Sequence, residues 1–114
     1  MSVASQAQKF FAEVNTSSAA THKIVAGITG RQIYIVAMTL LINGANVLTW
    51  ESGQNSPVTD LIPASGFNFG AAAQFILPLR GYKDAYVITN AGDDLNLITS
   101  TGAQVSGTIE YYQQ

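Results

Sequence analysis

GDDLNLITSTGAQVSGTIEYYQQ, residues 92–114, is the stretch from which the fold class is read. Two β-rich runs, Leu95 to Ser100 and Gln104 to Tyr112, flank a Thr-Gly-Ala turn. In the second run Val105, Gly107, Ile109 and Tyr111 alternate with Ser106, Thr108, Glu110 and Tyr112. A period of two is that of a strand with one buried and one solvated face. The spacing predicts a β-hairpin made of these two runs.

The rest of the chain has the same grammar. Turn-forming residues recur at short intervals, among them Gly27, Gly30, Asn43-Gly44, Gly53, Pro57, Pro63, Gly66, Gly70, Pro78, Gly81 and Gly102. Between them lie β-branched and aromatic runs at His22 to Ala26, Gln32 to Ile42, Val47 to Glu51, Pro57 to Ile62, Gln74 to Leu77 and Ala85 to Thr89. Roughly eight short strands follow, which predicts a single all-β domain, a jelly-roll-like antiparallel β-sandwich. Ile33 to Ile42 is almost wholly apolar, a run that fits a buried helix or a strand by period alone, and its Ile-Tyr-Ile-Val start favours strand. With Asn43 to Asn46 as the loop, this run and Val47 to Trp50 are expected to form a second hairpin. In PASGFNFGAAA, residues 63–73, Phe67 and Phe69 stand two apart and on a strand would share a face. Residues 1–21 are rich in Ala, Ser, Thr and Gln around one apolar island, and read as an N-terminal arm ending in a short strand, with the sandwich over 22–114.

Composition excludes several function classes. At 114 residues the chain has the length of one domain. Its charged share is 11%, under half of the usual figure of about 25%. A formal net charge of -2, with Lys9, Lys23, Arg31, Arg80 and Lys83 scattered, makes no nucleic-acid footprint. Few charges also mean little repulsion between copies, which favours association. There is no cysteine, hence no disulfide and no thiolate metal site. The first fifteen residues lack the basic start and apolar block of a secretory signal. The ten-residue apolar run is short of the roughly 20 needed to cross a bilayer, so no membrane partner is expected.

Chemistry-bearing residues are few. His22 is the sole histidine, no nucleophile motif accompanies it, and it reads as an ordinary surface residue. Asp93-Asp94, with Asn90 and Asn96, offers oxygen ligands of the kind calcium takes, but the spacing is not that of a calcium loop and the same residues suit a turn. Gly27-Ile28-Thr29-Gly30-Arg31 lacks both phosphate-loop patterns and reads as a turn between strands. Arg80, Tyr82, Lys83 and Tyr86 are either a small sugar- or phosphate-facing patch or a set with solvated loop charges. No catalytic, cofactor or metal residue is assigned, and the chain reads as a non-enzyme. Phe10 and Phe11 carry two readings: both pack on their own domain, or one covers the sandwich while the other reaches a partner. These two, with Phe67 and Phe69, are the candidate partner-binding residues.

The order of blocks resembles a group of small tailed-phage virion proteins. The blocks are TGRQIYIVAMTLLI, then VLTWESG, then FGAAAQFILPL, and last GDDLNLITSTGAQVSGTIEYY, together spanning about residues 23–112. Such proteins resemble jelly-roll capsid decoration (cement) proteins and head domains of phage fibres, usually trimers. The resemblance implies a structural virion protein, made in the host cytoplasm and carried on the capsid surface. Its implied partners are two further copies of itself and the phage major capsid protein. A receptor- or glycan-binding module of a fibre or tail is the alternative. Residues 1–22 have no counterpart in the group, and Asp93-Asp94 stands where a single acid is usual.

Overall fold

A computed structural model describes residues 8–53, 56–57, 66–81 and 84–114 of the chain. Among these are ten strands: β1 (Lys9–Thr16), β2 (Thr21–Val25), β3 (Ile33–Ile42), β4 (Asn46–Ser52), β5 (Ser56–Pro57), β6 (Phe67–Phe69), β7 (Ala73–Leu77), β8 (Val87–Ile88), β9 (Leu95–Thr99) and β10 (Val105–Gln113). They form two antiparallel sheets packed as a sandwich. Sheet one has the order β1-β10-β3-β7, with β8 also on β3; sheet two has the order β2-β9-β4-β5, with β6 also on β4. The ten strands therefore fill eight positions, because β7 and β8 share one edge of β3 while β5 and β6 share one edge of β4.

The pairings nest. β1 pairs β10, β2 pairs β9, β3 pairs β7 and β8, and β4 pairs β5 and β6. The chain is thus one long hairpin folded over on itself, and the rolling adds the β10–β3 and β9–β4 contacts. That is the jelly-roll arrangement expected from the strand count.

Both predicted hairpins are corrected. β9 lies in sheet two and β10 in sheet one, so Leu95 to Ser100 and Gln104 to Tyr112 do not pair with each other. Likewise β3 lies in sheet one and β4 in sheet two. Each turn is an arch that carries the chain from one layer to the other, and a turn of Gly and Asn serves either purpose. The two arches lock together through Asn46, which is buried. Its amide donates to Ala103 O at 3.2 Å, and its Oδ1 accepts from Ser100 N at 2.9 Å and Thr101 N at 3.2 Å. Thr101 Oγ1 returns a hydrogen bond to Ala45 O at 2.6 Å. These bonds satisfy backbone groups that pair in a hairpin ladder and are left over in an arch.

The core sits between the sheets. Val14, Ile33, Ile35, Met38, Leu40 and Ile42, with Val105 and Ile109, meet Leu48, Trp50, Leu95 and Leu97 from the other layer. A register shift between Glu110 and Tyr111, where Ala37 and Ile35 are their successive partners, accounts for the apolar run of β3. The extra residue, Val36, resets the alternation, so Ile33 and Ile35 face inward on one side of it and Met38, Leu40 and Ile42 on the other. Gly107 sets the tightest contact in sheet one. A Cβ there would run into the Thr39 carbonyl oxygen of β3, and the Thr39 carbonyl carbon and Leu40 Cα lie only 2.9 and 3.0 Å from it.

The described part of the expected N-terminal arm is a full strand. Lys9 to Thr16 pair with Tyr112 to Val105 without a break, and Val14 is wholly buried. Its alternation was masked at the sequence level because Phe10 and Phe11 are both apolar. Residues 1–7, and the predicted strand beyond Pro57, lie outside the described residues.

Candidate functional site

Strand register assigns every side chain of sheet one to a face. Val14 of β1 stands opposite Gly107, whose neighbours Val105 and Ile109 face the core with Ile42 and Met38. The opposite phase points away from sheet two: Lys9, Phe11, Glu13 and Asn15 on β1, Ser106, Thr108, Glu110 and Tyr112 on β10, Ala37, Thr39 and Leu41 on β3, and Gln74 and Ile76 on β7. Three large apolar side chains in this set are solvated: Phe11 is 61% exposed, Ile76 57% and Leu41 50%. Leu79, just past β7, is 59% exposed. Isolated exposed apolar residues are ordinary, but several on one face mark an interaction surface.

Lys9 and Glu110 of this face are already engaged with each other, and Glu13 is exposed. Lys9 Nζ sits 2.9 Å from Glu110 Oε1 and 5.7 Å from the centre of the Phe11 ring. The hydrogen bond to Glu110 holds the lysine above its usual pKa. At this exposure the ion pair orients the side chains more than it stabilises the fold.

Phe10 and Phe11 take different roles, as neighbours on one strand must. Phe10 is on the core-facing phase and stacks on Tyr111 with ring centres 5.6 Å apart, where it covers the end of the core. Phe11 points outward. Phe67 and Phe69 do share a face, and it is the inner one. Both are half-buried, and they clasp Phe75 of β7 at 4.6 and 5.5 Å, tying β6 of sheet two to β7 of sheet one.

The remaining polar candidates are structural where they are described. His22 Nε2 lies 3.0 Å from Ser18 O and 3.2 Å from Thr99 Oγ1. A carbonyl only accepts, so this nitrogen carries the proton and ties the β1–β2 connection down. Asp93 and Asp94 build a turn: Asp93 N donates to Asn90 O at 3.1 Å, and Asp93 Oδ2 accepts from Ser52 Oγ at 2.9 Å. Asp94 Oδ1 accepts from Gly27 N at 2.7 Å, and that hydrogen bond, aided by Lys23 at 3.5 Å, holds its pKa below the ordinary carboxylate value. Gly27 is required there, since a Cβ would meet the Gly92 and Asp93 backbone. The 27–31 segment is a turn closed by Arg31 N to Ile28 O at 2.9 Å. Arg80 lies over the ring of buried Tyr86 at 4.9 Å, and Tyr86 donates its hydroxyl to Pro78 O at 2.6 Å. Tyr82 and Lys83 lie outside the described residues. Among the described residues no three His, Asp or Glu side chains come together to hold a metal ion.

Leu41 and Ile76 were missed from sequence because each sits in an apolar run that reads as core. The signal was there in Thr39, two residues before Leu41 and therefore on its face. The chain matches no protein-family model, no curated protein and no solved structure.

Proposed function

We propose that this protein is a structural component of a tailed-phage virion, a decoration protein that binds the assembled capsid and stabilises it through buried area and shape rather than chemistry. The observation that supports this reading is the outer face of sheet one, where Phe11, Leu41 and Ile76 stand solvated on a rigid jelly-roll framework. The blocks that resemble virion proteins fall on that framework: TGRQIYIVAMTLLI on β3, VLTWESG on β4, FGAAAQFILPL on β6 and β7, and the last block on β9 and β10. Their counterparts in this reading preserve the scaffold and leave the outward phase to meet the major capsid protein. A stable contact needs about 800 Å² on each partner, which a four-stranded face can supply.

Co-sedimentation of the purified protein with undecorated phage capsids tests the proposal. Saturable binding at micromolar concentration, with a raised disruption temperature of the shell, is the expected result. Absence of bound protein at that concentration, or saturable binding to a cell-surface glycan instead, overturns it.

A further inference from the structure

We infer that two copies of this chain associate through their β1 strands, edge to edge and antiparallel, with Phe11 on the two-fold axis. β1 is an edge strand: along its eight residues it pairs with β10 on one side, and among the described residues no backbone hydrogen bond reaches its other side. A long unpaired edge is a template for a further strand, and native proteins usually blunt it with proline, a bulge or a covering loop. β1 has no proline, and its register with β10 runs unbroken.

The sequence of β1 is complementary to itself in one register. With Phe11 opposite the Phe11 of a second copy, Lys9 stands opposite Glu13, and symmetry repeats that pair on the other side of the axis. Phe10 then faces Ala12 on the inner phase, and Gln8 faces Val14. A shift of two residues sets Phe11 against a charge, Glu13 in one direction and Lys9 in the other. A shift of one turns the core-facing phase of one copy outward and is excluded wherever one face is buried. Opposite charges and aromatic rings directly across a strand pair attract, and like charges repel. An isologous contact of this kind closes on itself as a dimer, and it continues the outer face of sheet one across the seam. This two-fold pair stands in place of the threefold assembly that the sequence resemblance implies, and it does not depend on capsid binding.

The absence of native cysteine makes the test direct. Directly opposed side chains have Cβ atoms about 4.5–5.5 Å apart, close enough for a disulfide with slight adjustment. Under mild oxidation F11C is expected to form a covalent dimer readily, while I76C, on the same face but on β7 at the opposite edge of the sheet, does not. By light scattering the wild type should pass from monomer to dimer with rising concentration. Glu13→Lys, which leaves the Lys9–Glu110 pair of each copy in place, should weaken the dimer about tenfold, equivalent to about 1.4 kcal/mol. A trimer mass, a monomer at all concentrations, equal cross-linking of the two cysteine variants, or cross-linking of F11C only to added capsid protein would each overturn the inference.

Discussion

The two sheets of the sandwich bury their inner faces alike and differ in their outer ones. Sheet one shows solvent Phe11, Leu41 and Ile76. None of the exposed large apolar side chains of the described residues lies on a strand of sheet two, whose outward phase carries Thr21, Lys23, Thr49 and Glu51 with half-buried Val47 and Ile98. Folding requires only the inward phase, so it cannot account for this difference. The asymmetry of the outward phase is what points binding to sheet one.

If the inward phases are equivalent, a severe change in either layer should unfold the whole chain. Gly107→Ala in sheet one forces a side chain into the Thr39 backbone, with neither strand able to move away from its own neighbours. A loss of more than about 4 kcal/mol is expected, a large part of the roughly 5–15 kcal/mol that holds a domain together. Loss of strand signal in circular dichroism would register it. Trp50→Ala in sheet two empties the largest fully buried side chain and should cost about 3–5 kcal/mol by chemical denaturation. If either variant melted in two steps, the layers would be independent and the comparison would fail.

The join between the layers should be weaker than either. Asn46→Ala removes the acceptor of Thr101 N and the donor to Ala103 O, while Ser100 N keeps Val47 O at 3.2 Å, and a loss of about 1–3 kcal/mol is expected. Hydrogen exchange should accelerate first at residues 100–104. At the opposite end of the sandwich, Asp94 contributes a pH-dependent increment. Its folded pKa lies below its unfolded one, so the folded state binds fewer protons in the interval between them. The contribution is therefore complete above the unfolded value of about 3.9 and is lost as pH falls through the lower folded value. Asp94→Asn should lower the melting temperature at neutral pH, where the contribution is complete, and flatten the acid limb so that the two proteins converge as pH falls.

The smallest effect on folding separates the two outer faces most sharply. Leu41→Ser with Ile76→Ser should change stability by no more than about 0.5 kcal/mol for each exposed site. Capsid co-sedimentation should nevertheless fall at least tenfold, whereas Val47→Ser on sheet two should leave it unaltered. Equal effects of the two changes would remove the distinction between the faces.

Much of the architecture is written locally. The alternation of Val105, Gly107, Ile109 and Tyr111, the turn residues at 27–31 and 90–94, and the pairing of Phe67 with Phe69 on one face all follow from period and backbone preference. What escaped reading was the choice of partner. The Asn43-Gly44 and Thr101-Gly102-Ala103 turns are compatible with a hairpin or an arch, because the difference lies in what the next strand meets across the fold. The displaced phase of β3 at Val36 was hidden for a similar reason: an added residue leaves the apolar run intact and changes only its register against β10.

Residue order was thus sufficient for the class of fold, since a period of two and frequent turn residues leave a chain of this length little choice but a layered β-domain. Strand partners, and with them the faces that meet water, were settled only by folding. Phe11, Leu41 and Ile76 are as apolar as Ile35 and Leu97. Their exposure follows from long-range register, which places one phase of each strand against the other sheet and leaves the opposite phase free.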